Sequence, residues 1–247
     1  MRLTVLGSSG TFPTPGRPAA GYLIEHKGTN VWCDAGPGTF TALPIDPDAV
    51  DAVVVSHQHP DHCLDVLVAY HAFRYRPEPR SGVPLYAPQQ VIDRLCEFVN
   101  AGDDPEIYDT FTFHPVGDDD QIELDEITVA FAITDHSVVT VGSRWEAEGR
   151  VLAYSADTGP AGEWPRLARG AHLLLSEATY QGPSGVNDYP FHMTAGEAGE
   201  IARREGARSL MLTHIPPYLD PARSVAEAEA TFGRAVELAV PGLVRDI

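Results

Sequence analysis

Residues 52–65 read AVVVSHQHPDHCLD, so His57, His59, Asp61 and His62 fall within six positions directly behind an apolar run. The run predicts a buried strand over 51–56. In extended backbone His57 and His59 share one side, because side chains alternate with period two. Pro60 keeps His59 extended and suits the first position of a helix, which puts Asp61 and His62 in that helix's first turn, facing back toward the strand end. Two imidazoles from the strand exit and a carboxylate plus an imidazole from the helix start thereby converge on one cavity. A single tetrahedral zinc needs three protein ligands and a water. Four candidate ligands from one segment point instead to two adjacent metals, each completed from elsewhere in the chain.

Three residues offer that completion. His136 follows FAITDH, Asp157 follows VLAYSADTG, and His214 ends SLMLTH just before Pro216 and Pro217. Each is a lone polar ligand at the end of an apolar strand, where functional residues collect on α/β scaffolds. A single histidine in such a place is more often structural, but the coincidence with the motif at His57 reverses that weighting. His26, His71, His114 and His172 keep the structural reading. Cys33, Cys63 and Cys96 are an odd number, which argues against a disulfide framework, and Cys63 reads as a small buried residue.

Alternation of apolar residues predicts strands over 2–6, 20–25, 30–33, 51–56, 83–86, 127–134, 138–146, 150–155, 172–176, 208–213 and 235–239. Helices are predicted over 61–73, 88–99, 160–169, 194–206 and 221–232, the last capped by Asp220 with Pro221 in its first turn. Strands in both halves with helices between them predict two packed sheets covered by helices, in one domain over 1–247. The acidic stretches NAGDDPEIYD and VGDDDQ read as exposed loops. No apolar run reaches membrane-spanning length, and the N-terminal segment lacks the apolar core of a signal peptide, so the cytoplasm is the expected compartment. The formal charge is −18, with 35 acids against 17 Lys and Arg, a surface that repels polyanions unless a local basic patch overrides it. The single basic stretch, YHAFRYRPEPR, carries Arg74, Arg76 and Arg80, which read equally as lining a substrate entrance or as a solvated helix end.

With these motifs in place, the chain resembles the metallo-β-lactamase-fold hydrolases, whose signature is H-x-H-x-D-H followed by separate His, Asp and His ligands. Within them it is most similar to the ribonuclease Z-like phosphodiesterase branch, over nearly its whole length. LGSSGTFPTPGRPAAGYLIE, CDAGPGT, ITDHSVVTVGSR and LAYSADTGP resemble that branch's successive motifs. LLSEATY and FHMTAGEAGEIA resemble its Glu-Ala-Thr and His-Ser-Thr segments, with Met193 where Ser is usual and Ala156 where Gly is frequent. The resemblance implies an α/β fold, a four-layer αββα sandwich with the metal site at the edge of the two sheets. It implies two Zn2+ per chain, with Mn2+ or Fe2+ as substitutes: His57, His59 and His136 hold one, Asp61, His62 and His214 the other, and Asp157 bridges. Flavodiiron proteins carry a carboxylate where His59 stands, and an all-His pair suits zinc better than di-iron. Asp34 resembles an acid that orients a ligand histidine; support of the turn at Gly36 is the competing role.

The implied reaction is phosphodiester cleavage by a hydroxide shared between the metals and oriented by Asp61. His192, paired with Glu177, is the general acid for the leaving alkoxide; a purely structural place before helix 194–206, capped by Thr194, is the alternative. Members that process tRNA carry a long basic arm that this chain lacks, and nucleic-acid affinity requires many phosphate contacts. A small phosphodiester such as a cyclic nucleotide is therefore the expected substrate. A tRNA 3′-end endonuclease is the runner-up, and a lactone or thioester hydrolase of the same fold comes third. Homodimers are common in the resembling branch, and no membrane partner is expected.

Overall fold

Alternating side chains in the first strands sort the protein into layers. In the computed structural model, which describes residues 1–102, 105–185 and 189–247, the chain runs through β1 (Arg2–Gly7), β2 (Gly21–His26), β3 (Thr29–Ala35), β4 (Ala52–Val54), α1 (Pro60–Cys63), α2 (Asp65–Arg74), β5 (Val83–Ala87), α3 (Gln89–Phe98), α4 (Glu106–Thr110) and β6 (Phe111–Pro115). Tyr22, Ile24, Val31 and Cys33 face one way, into a core shared with Val129, Trp145, Leu152 and Leu173. Leu23, Trp32 and Val53 face the other way, onto Val66, Phe73, Val91 and Ile107 of the covering helices.

The second half continues with β7 (Gln121–Leu124), β8 (Ile127–Ile133), β9 (Val141–Ala147), β10 (Arg150–Tyr154), α5 (Trp164–Ala168), β11 (Leu173–Glu177), α6 (Ala195–Arg204), β12 (Ser209–Thr213), α7 (Pro221–Phe232), β13 (Glu237–Leu238) and β14 (Val244–Asp246). Its outer face packs Ala153, Leu174 and Leu212 against Trp164, Ile201 and Phe232. The result is the four-layer αββα sandwich, with sheet orders β14-β1-β2-β3-β4-β5-β6 and β13-β12-β11-β10-β9-β8-β7. Pairing is parallel from β3 to β6 and from β10 to β13. The C-terminal ends of β3, β4, β8, β10, β11 and β12 therefore open on one edge of the sandwich. No helix among the described residues is long and apolar enough to cross a membrane.

Three expectations need correction. The helix expected over 61–73 is two helices joined at Leu64, because α1 runs only from Pro60 to Cys63. NAGDDPEIYD is not all loop: α4 forms within it and buries Ile107, while Asp103 and Asp104 lie outside the described residues. The helix expected over 160–169 shortens to Trp164–Ala168. Strands β6, β7 and β14 add to the expected set, and all three are sheet edges.

Candidate active site

His57 and His59 leave β4 in a short loop, and His59 keeps the extended backbone (φ −67°, ψ 143°) that Pro60 requires. Asp61 and His62 then fill the first turn of α1. His136, Asp157 and His214 follow β8, β10 and β12, so the sandwich edge brings all seven expected ligands together. They form two groups. His59 Nδ1 lies 3.0 Å from His57 Nε2 and 3.1 Å from His136 Nε2. His214 Nε2 lies 3.2 Å from Asp61 Oδ2, and His62 Nε2 is 3.8 Å from the same oxygen. Asp157 stands between the groups and gives each one oxygen. Its Oδ2 is 3.6 Å from His57 Nε2 and 3.9 Å from His136 Nε2. Its Oδ1 is 3.2 Å from His62 Nε2 and 3.4 Å from His214 Nε2.

Four of the five rings are fixed through the nitrogen that faces away from the centre. His57 Nδ1 pairs with Ser56 Oγ at 3.0 Å, His62 Nδ1 with Asp34 Oδ2 at 2.8 Å, His136 Nδ1 with the Phe191 carbonyl at 3.0 Å, and His214 Nδ1 with Thr179 Oγ1 at 2.9 Å. Such outer partners set the tautomer and ring direction of a metal-binding imidazole. Asp34 is fully buried and also accepts from Ser56 N, Ser56 Oγ and Tyr154 Oη, at 2.7, 2.9 and 2.7 Å. Its carboxylate thus holds His62 directly and His57 through Ser56, which selects the ring-orienting role over support of the Gly36 turn. Thr179, Ser56 and Tyr154 carry polar work that the sequence reading did not single out.

The donor set fits a divalent cation. Five imidazoles and two carboxylates are the N/O chemistry zinc accepts. His62 Nε2 and Asp157 Oδ1 are buried and only 3.2 Å apart, yet neither is aligned for a hydrogen bond with the other or with any other described residue. A buried polar atom left unpaired costs roughly 1–3 kcal/mol, and one cation between them satisfies both. Burial and the charge of its neighbours hold the His57 imidazole well below its ordinary pKa, so its lone pair is free at neutral pH. For His62 burial acts downward as well, but the carboxylates of Asp157, Asp61 and Asp34 outweigh it and raise the ring well above its usual range. A cation bound there would compete with that proton.

Beside the cluster, Glu177 is buried and accepts His192 Nδ1 at 2.9 Å, Thr158 N at 2.7 Å and Thr179 Oγ1 at 2.7 Å. The His192 ring stacks on His214 (centroids 5.6 Å apart) and meets His136 edge-on at 5.0 Å. Burial alone would lower its pKa, but the Glu177 carboxylate reverses this and raises it to about 9. Thr194, two residues on, forms a capping box with Glu197. His192 itself supplies no cap; its ring belongs to Glu177.

A family model described as Beta-lactamase superfamily domain matches residues 29–215. The chain belongs to the beta-lactamase superfamily. An uncharacterized protein of Mycobacterium tuberculosis is 36% identical over 97% of this chain and 90% of its own length. The probable metallo-hydrolase YhfI of Bacillus subtilis is 28% identical over 99% of both chains. The crystal structure of YhfI superposes with a TM-score of 0.88 at 25% identity, covering 99% of each chain. Ribonuclease Z of Kineococcus radiotolerans is 28% identical over 92% of this chain and 88% of its own. Within the beta-lactamase superfamily the protein is thus a hydrolase of the ribonuclease Z-like branch.

Its departures from that branch have local explanations. Ala156 has φ 51°, in the left-handed region where Gly is favoured; Asp34 and His214 share that region at φ 55° and 56°. Met193 is fully buried on the α6 side, and its backbone N–H donates to Glu177 at 3.2 Å. Arg74, Arg76 and Arg80 do not form a free basic entrance. Arg74 pairs with Glu106, Arg76 with Asp48, and Arg80 donates to the carbonyls of Pro47 and Val50. Cys63 is buried, with its thiol pushed up to about 12 by that burial, and donates to the Gln58 carbonyl at 3.6 Å.

Gly36 closes the site from the β3 side. A Cβ there would stand 2.0 Å from the Asp61 carbonyl and 2.8 Å from that of Ala20. Gly36→Ala should therefore destabilise the fold by about 1–3 kcal/mol and displace the Asp61 turn. A lowered melting temperature with reduced metal content checks this; unchanged values of both would place the turn elsewhere.

Proposed function

We propose that this protein hydrolyses small phosphodiesters, such as cyclic nucleotides, at a pair of zinc ions, with Mn2+ or Fe2+ able to substitute. In this reading His57, His59 and His136 hold one ion, Asp61, His62 and His214 the other, and Asp157 bridges, within one hydrolase domain over 1–247. The observation that carries it is the split of Asp157, with one carboxylate oxygen turned to each ligand group. Two bound ions would supply Lewis-acid charge for the phosphoryl oxygens and a water acidified toward neutral pH.

The rest is work for the chain's own groups. Thr11 N–H donates to Asp61 Oδ2 at 2.9 Å, which fixes the direction of a carboxylate that would orient the attacking water. Glu177 holds His192 by the Nδ1 edge, leaving Nε2 to give a proton to the departing alkoxide. With its pKa raised, His192 carries that proton at neutral pH.

Small diesters fit the charge better than tRNA does. The chain carries −18, and the arginines of the 70–80 stretch are occupied by acids and carbonyls. A panel of bis-p-nitrophenyl phosphate, cyclic nucleotides, precursor tRNA and a lactone tests the assignment on the zinc-loaded protein. Turnover of the first two, abolished by His59→Ala, is expected. Salt-sensitive cleavage of precursor tRNA in preference to cyclic nucleotides would select a tRNA 3′-end endonuclease, in line with the name ribonuclease Z of the Kineococcus relative, and turnover of the lactone alone would overturn the phosphodiester reading.

A further inference from the structure

The sandwich end opposite the active site holds a second cluster. Hairpin turns from both sheets meet there: His26–Thr29 between β2 and β3, Leu124–Ile127 between β7 and β8, and Ala147–Arg150 between β9 and β10. Thr29 Oγ1 donates to Asp125 Oδ2 at 2.7 Å. Lys27 Nζ reaches Glu126 Oε2 at 2.6 Å and Glu148 Oε1 at 2.7 Å, drawing the turns together. Lys27, Asp125 and Glu148 all adopt left-handed backbone, with φ of 48°, 50° and 48°.

His26 is the odd member of this otherwise exposed group. Its side chain is only 5% exposed, and its Nε2 is buried without a hydrogen-bond partner among the described residues. That nitrogen points toward Glu148, whose Oε2 lies 4.0 Å away and is not the oxygen held by Lys27. Donor atoms of His26, Glu126 and Glu148 all lie within 4.8 Å of one another. Zinc–nitrogen and zinc–oxygen bonds of about 2.0–2.2 Å let one ion reach across the 4.0 Å gap with little movement of either partner.

We propose that His26, Glu126 and Glu148 form a second, peripheral site for a divalent cation of the zinc class, with Lys27 as its built-in competitor. Imidazole with carboxylates suits first-row divalent ions, zinc among them. The two carboxylates outnumber the single ammonium that now neutralises them. Lys27 is half-exposed, so its head can swing into water and give up its place without being buried. The cation would then clasp hairpins of both sheets, joining the two halves at the end where no other ligand cluster stands among the described residues.

Equilibrium dialysis against graded free Zn2+, with elemental analysis of the bound metal, tests this without reference to turnover. Wild type should take up one more ion than His26→Gln, whatever number the His57 cluster holds. Glu126→Gln with Glu148→Gln, both on exposed turns, should lose the same ion, which covers the case in which His26→Gln fails to fold. Lys27→Met should bind that ion at about tenfold lower free zinc, because two competing ion pairs are gone. Glu97→Gln, which removes an exposed carboxylate far from these turns, should titrate like wild type. Equal uptake by wild type and His26→Gln, an unshifted Lys27→Met curve, or equal loss in Glu97→Gln would overturn the proposal, leaving His26 to a water or the acidic surface to diffuse binding.

Discussion

Asp157→Asn should lower phosphodiester turnover by about 10^3-fold or more, an effect of about 4 kcal/mol on the barrier, and should lower bound metal with it. The size follows from the position of the side chain. Asp157 is buried and, among the described residues, is the one carboxylate whose two oxygens face different ligand groups. Burial disfavours its charge, yet the surrounding imidazoles, His214 and His62 foremost, hold its pKa well below the usual range, so it is anionic throughout the working pH. Asparagine keeps the shape but puts an amide donor where one oxygen must accept. Steady-state rates with elemental analysis of the same preparation check the outcome, and a melting curve separates it from unfolding. Retention of full metal content and near-normal turnover would show that Asp157 does not bridge.

His192→Ala should divide substrates by their leaving group. Loss of a general acid costs about 10^2 to 10^4-fold where the departing alkoxide needs a proton, as in a cyclic nucleotide. A p-nitrophenolate leaves without one, so bis-p-nitrophenyl phosphate should lose far less. Glu177→Gln should repeat the pattern more weakly, since it keeps His192 in place but removes the charge that raises its pKa. With the raised value gone, the protonated form persists only to a lower pH, so the alkaline limb of the rate profile should move down. Equal losses on both substrate types would instead mean that His192 supports the cluster by packing on His214.

The inner strands and the convergence at the sandwich edge were legible because each depends on a local pattern. Strand exits carrying His57, Asp157 and His214 are written as apolar runs ending in one polar residue, and the parallel strands align those exits without further instruction. What escaped were elements whose pattern is weak for a physical reason. β6, β7 and β14 sit at sheet edges, where one flank is exposed and alternation need not be strict. The break at Leu64 has no helix-breaking residue to announce it. Ser56, Tyr154 and Thr179 were invisible for another reason. Each is one hydroxyl within or beside an apolar stretch, and only the folded arrangement brings it to Asp34, His57 or His214. The acidic surroundings of His26 were hidden likewise, since Glu126 and Glu148 come from two other hairpins.

Anomalous scattering at the zinc edge, recorded from crystals of the zinc-loaded protein, is the most direct measurement of the central claim. Two peaks about 3.5–4 Å apart, one among His57, His59 and His136, the other among Asp61, His62 and His214, with Asp157 touching both, are predicted. One peak alone at this edge of the sandwich, or none within bonding distance of Asp157, would contradict the two-ion centre.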